Sequence, residues 1–128
     1  MFVHQWLDTI HQANRDFETR DLASAEYYLT QAINISFSLL NSWFDSEKAI
    51  SAYLCSHHNL VHLLLIQQRD AEAKCYLLDL QKTLDTKLKN CRNYSLRYQA
   101  LLKAAECNRS ALQNNFLTDT NKTHDKDK

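Results

Sequence analysis

The chain has 128 residues, 45% of them hydrophobic, and its 15 Lys and Arg balance its 15 Asp and Glu. Such a chain is long and apolar enough for one domain with its own core, and carries no net charge to draw it to nucleic acid or an anionic membrane. It contains no glycine and no proline, where average usage gives about 12% of the two, and this excludes phosphate-cradling loops, dinucleotide fingerprints, nucleophile elbows and most β-hairpins.

The first helix is predicted over about Phe2 to Thr19, because Val3, Trp6, Ile10, Ala13 and Phe17 recur at spacings of three and four. Arg20-Asp21 forms a tight turn, and Asp21 can cap a second helix from about Leu22 to Asn41. That helix carries Leu22, Ala25, Leu29, Ala32 or Ile33, Ser36 and Leu40 on one stripe, widened by Tyr28, Ile35, Phe37 and Leu39. A helix apolar over so much of its circumference packs on two sides.

The segment Ser42 to Glu47 is the next break, with Ser42 or Asp45 as N-cap. A third helix follows to about Gln68, carrying Ile50, Tyr53, Leu54, His57, Leu60, Val61, Leu64 and Leu65. Asp70 is expected to cap a fourth helix from Ala71 to Lys89, whose inner face is Ala73, Leu77, Leu80, Leu84 and Leu88. Asn90 is expected to end it in the left-handed conformation. A fifth helix is predicted over about Arg92 to Asn115, with a seam of Leu101, Ala104, Ala105 and Leu112. The division is a helical domain over residues 1–116 and a disordered polar tail over 117–128.

The start, MFVHQWLDTIHQ, lacks a basic n-region followed by an apolar run, and no window reaches the ~18 apolar residues of a membrane span. Cys55, Cys75, Cys91 and Cys107 form no CxxC pair. Reduced thiols in a cytoplasmic protein are the expectation.

Two stretches repeat one plan: Ala13–Ala32 and Asn59–Leu80, each folded at an Arg-Asp, with Ala25 and Ala73 small where two helices cross. Asn14, Phe17, Asp21, Leu22, Ala25, Tyr28 and Ala32 resemble the tetratricopeptide-repeat pattern, in which a small residue lies midway along the first helix and alanines recur seven apart in the second. Val61, Leu65, Ala73 and Leu80 are a looser second copy. The copies lie 48 residues apart, Ala25 to Ala73, against a regular repeat of about 34. Arg20 and Gln68 stand where the turn glycine belongs, and the closing proline is missing. The resemblance is to a divergent, long-helix relative, similar to small uncharacterised bacterial proteins. It implies an all-α, TPR-like superhelix of about five antiparallel helices: two long hairpins and a capping fifth helix.

The resemblance also implies protein binding. The partner-binding positions it points to are Ile10, Asn14, Phe17, His58, His62 and Leu65, a groove of amides, imidazoles and apolar anchors suited to a short amphipathic peptide or a partner helix. If its imidazoles titrate near neutrality, an acidic partner binds better below pH ~6.5. The other reading of the groove is that the fifth helix fills it. Cys55, His58 and His62, three and four residues apart on one helix face, are the alternative: a metal or redox sensor. HNLVH lacks the glutamate of a zinc hydrolase, and no nucleophile–base pair appears. The expectation is therefore a non-catalytic adaptor or chaperone-like module without cofactor, nucleic acid or membrane as partner. His57 is read as a structural histidine and Trp6 as core. Trp43 with Phe44 leaves a homodimer contact open.

Overall fold

In the computed structural model the described residues, 2–41, 46–92 and 95–117, are helical almost throughout and contain no strand. Five α-helices follow in order: α1 (Phe2–Glu18), α2 (Leu22–Asn41), α3 (Ser46–Ile66), α4 (Asp70–Lys89) and α5 (Leu96–Leu112). A π-helical turn, Gln113–Leu117, extends α5. The fold is all-α, as the composition and periodicity predict. The caps expected at Ser42 and Asp45, the exposed Trp43-Phe44 corner and the tail beyond Leu117 lie outside the described residues.

The turns show how a chain without glycine folds back. Arg20 has φ 67° and Gln68 has φ 61°, both in the left-handed region. At the first turn, the Asp21 amide donates to the Asp16 carbonyl at 2.8 Å and the Arg20 amide to that of Phe17 at 3.1 Å. At the second, Arg69 donates to Leu64 at 2.8 Å and Gln68 to Leu65 at 3.0 Å. Each is a Schellman closure, which satisfies the last helical carbonyls but normally calls for glycine at the left-handed position. The two closures are 48 residues apart. The two Arg-Asp pairs in the sequence are out of step with them by one residue, so the dipeptide is not what repeats; the left-handed residue is.

This offset changes the caps. Asp21 accepts from the Ser24 amide at 3.2 Å and caps α2 as expected. Asp70 does not cap α4. The capping position is Arg69, without a side-chain cap, and Asp70 and Glu72 sit in the first helical turn, where negative charge is favoured. Arg69 instead reaches back to Glu26 on α2 at 2.5 Å and forward to Glu72, tying the second turn to the first hairpin. Its guanidinium holds the Glu72 carboxyl below the usual carboxylate range. Asn90, at φ −97°, is not left-handed. α5 begins at Leu96 rather than Arg92, because Ser95 caps it by accepting from the Tyr98 amide at 3.0 Å.

The core falls into two clusters, both built on α2, α3 and α4. One cluster joins Ile10 and Ala13 of α1, Ala25, Leu29 and Ala32 of α2, Leu60, Val61, Leu63 and Leu64 of α3, Ala73 and Leu77 of α4 and Leu112. The second joins Leu40, Ala49, Ile50, Tyr53, Leu80, Leu84, Leu101, Ala104 and Ala105. Ala25, Ala32, Ala73 and Ala105 have no exposed surface, so small side chains sit where helices cross most closely. Helix α2 packs on both α1 and α3, and α5 packs on both α4 and α3. By length and composition α3 would also suit a membrane span, against the sequence expectation, but more than half of that window is buried among the other helices.

Successive odd helices are stitched by polar bridges in one register. Trp6 Nε1 on α1 donates to Ser56 Oγ on α3 at 2.7 Å, and His58 on α3 meets Asn108 on α5 at 2.9 Å; each bridge spans 50 residues. The Phe17 ring lies 6.1 Å from that of His62, so contacts between α1 and α3 run in the same order along both helices. The two are parallel neighbours, and α5 stands beside α3 as a third.

Candidate functional site

Helix α3 has partners on most of its circumference, and its apolar residues follow from that. One stripe stays outside the packing: Ser51, Cys55, His62 and Ile66 are exposed, with His58 and Asn59 half-buried between them. His62 on this stripe lies beside Phe17 of α1, and the surface between the two helices is the candidate trough.

The six predicted binding residues are three pairs related by the 48-residue repeat: Ile10 with His58, Asn14 with His62, and Phe17 with Leu65. The structure treats the pairs differently. Asn14 and His62 are exposed on the two helices that flank the trough. Phe17 and Leu65 are half-buried, packed on the first core cluster with part of each side chain at the surface. His62 stands beside the Phe17 ring at an interplanar angle of 33°. Ile10 is only 8% exposed and belongs to the core, so its expected place in the groove is corrected. It faces inward because it shares a face with Ala13, at the crossing with α2.

His58 is corrected too. Its Nε2 is engaged by Asn108, which is fully buried. The Asn108 amide nitrogen donates to the Leu77 carbonyl at 2.9 Å and to Gln81 Oε1 at 3.0 Å. A carbonyl can only accept, so the amide orientation is fixed and Oδ1 faces His58. Nε2 must then carry the hydrogen and donate. Nothing in the sequence analysis singled out Asn108. Its signal was its place on the α5 seam, four residues after Ala104 and four before Leu112. The fifth helix thus engages this stripe at His58, while Asn14 and His62 keep exposed side chains.

The metal alternative does not assemble. Among the described residues no three His, Cys, Asp or Glu side chains gather closely enough to hold an ion. His58 has spent one ring nitrogen on Asn108. Cys55 Sγ accepts from Asn59 Nδ2 at 3.7 Å, and although the residue is exposed, partial desolvation of its thiol raises the pKa, which disfavours the thiolate a metal would need. Cys55, Cys75, Cys91 and Cys107 are all free thiols.

His57 and Trp6 take the structural places expected. His57 is 4% exposed, its Nδ1 is 2.9 Å from the Tyr53 carbonyl, and the Tyr53 ring stands edge-on at 4.4 Å. Burial lowers its pKa, so it is neutral at pH 7. Trp6 packs against the first cluster.

Residues 4–126 match a family model described as a protein of unknown function, DUF2753. The chain belongs to this family. No curated protein and no solved structure matches the chain.

Proposed function

We propose that this DUF2753 protein is a non-catalytic interaction module, a divergent relative of the tetratricopeptide-repeat proteins, that holds a peptide or partner helix in the trough between α1 and α3. The observation that carries this reading is the contrast within α3: buried around most of its circumference, it keeps one stripe open, flanked by Asn14 and Phe17 of α1. Exposed amide and imidazole groups supply hydrogen bonds at the rim, and the half-buried Phe17 and Leu65 supply apolar anchors at the floor. That mixture suits an amphipathic segment, with a few anchors carrying most of the affinity. Free thiols on the surface fit a reducing, cytoplasmic setting.

A peptide-display selection against the protein tests this. Selected ligands should lose at least tenfold in affinity for the Asn14→Ala/His62→Ala variant and keep their affinity for Leu78→Ala, whose side chain is exposed on α4. Equal binding to the double variant would overturn the reading.

A further inference from the structure

His58 is committed to packing through one ring nitrogen only. The state of the other is decided by a chain of hydrogen bonds that crosses three helices. Gln81 Nε2 donates to Asp85 Oδ1 at 3.1 Å, both on α4. Asn108 Nδ2, on α5, donates to Gln81 Oε1 at 3.0 Å and to the Leu77 carbonyl at 2.9 Å. His58 Nε2, on α3, closes the chain on Asn108 Oδ1 at 2.9 Å.

The direction of these bonds is fixed at two independent points. The Leu77 carbonyl can only accept, and an ionised carboxylate such as Asp85 likewise. Leu77 orients the Asn108 amide directly. Asp85 orients Gln81, whose Oε1 then orients Asn108 the same way. Every N–H therefore points from His58 toward Asp85, and the His58 hydrogen sits on Nε2. A neutral imidazole has one such hydrogen, so Nδ1 carries a bare lone pair. It makes no hydrogen bond to the described residues, and among those residues no buried side-chain nitrogen or oxygen lacks a partner. Nδ1 therefore reaches accessible surface. It belongs to the open stripe of α3, three residues after exposed Cys55 and four before exposed His62.

We propose that His58 Nδ1 accepts a backbone amide N–H from an extended peptide in the trough, and that Asn108 is the positioning residue that holds His58 in the accepting tautomer. This rests on the trough reading and names the group that the trough takes at His58. A ring free to choose its tautomer can accept from a donor or donate to a carbonyl. His58 has no such choice while neutral. Moving its hydrogen to Nδ1 would leave Nε2 and Asn108 Oδ1 facing each other as two acceptors at 2.9 Å, with Asn108 fully buried. At the stripe a ligand carbonyl or carboxylate would meet one lone pair with another, whereas an N–H finds an acceptor already aimed. An extended peptide keeps its amide N–H groups available, and a helix uses all but its first four on its own carbonyls. The tautomer thus favours the extended peptide over the partner helix.

Two measurements test this. The first needs no ligand: imidazole nitrogen shifts at pH 8 should show His58 with its hydrogen on Nε2 alone, while exposed His62 averages over both tautomers. Asn108→Leu should bring His58 to that same average. The second uses display-selected peptides in an amide-to-ester scan, which removes one backbone N–H at a time without adding bulk. One ester should lower affinity for the natural chain fivefold or more, and for His58→Phe less than twofold. Equal affinity for the Asn14→Ala/His62→Ala variant marks the failure of the trough itself. A flat ester scan, on peptides that do lose affinity for that variant, marks the failure of this assignment alone. His58 averaging over tautomers as His62 does, an ester loss that persists in His58→Phe, or a loss that follows a donor side chain of the peptide instead of its backbone would also overturn the proposal.

Discussion

At the residue scale, the two turns show what a missing glycine costs. Arg20 and Gln68 hold positive φ with a Cβ that crowds the following carbonyl, a strain of about 1–2 kcal/mol at each site. Glycine would remove it but lose some of the gain to a more flexible unfolded chain. Arg20→Gly and Gln68→Gly should each raise stability by up to about 1 kcal/mol in urea denaturation. A lower midpoint in either would contradict the left-handed geometry. His57 has the opposite character: it is well satisfied, but only while neutral. Its folded-state pKa lies below the ordinary 6.5, so the unfolded chain takes up this proton first as pH falls. Its contribution is complete above pH 6.5 and is lost as pH drops toward the lower folded value. Denaturation at pH 7.5 and at pH 5.5 should show the loss, and His57→Gln should flatten it. A pH slope unchanged in the variant would assign the effect elsewhere.

At the element scale, the helices were largely legible in the sequence. The bounds of α2 came from a cap at Asp21 and a stripe from Ala25 to Leu40, because local chemistry decides both. The errors fell where tertiary context decides. Asp70 reads as a cap, but the Schellman closure at Gln68 brings the chain into helix one residue earlier. Asn90 reads as a left-handed stop, yet α4 ends without one. Asn108 drew no notice in the sequence, because an isolated polar residue becomes core only through its partners on α3 and α4. For the site, position along a helix was readable but facing direction was not: Ile10 and His58 share a repeat position, and one is core while the other bridges to α5. The alanines are the element-scale test. Ala25 and Ala73 are fully buried at the hairpin crossings, so Ala25→Leu and Ala73→Leu should each cost about 1–3 kcal/mol through overpacking. Neutral outcomes at both would place the crossings elsewhere.

At the scale of the whole molecule, stability and the proposed binding draw on different parts of the same arrangement. The even helices bury their alanine and leucine faces. The odd helices stand side by side, joined by the Trp6–Ser56 and His58–Asn108 bridges, and it is between them that open surface remains. This division lets the trough vary in character without disturbing the core: Asn14 and His62 have exposed side chains, whereas Ile10 and His58, at the adjoining repeat position, are committed to packing.

Amide chemical-shift mapping with a display-selected peptide tests the central claim most directly. The account predicts that the largest shifts fall at Asn14, Phe17, Asn59, His62 and Leu65, along the facing sides of α1 and α3. Shifts centred instead on Tyr27 and Leu78, exposed on the even helices, would contradict it.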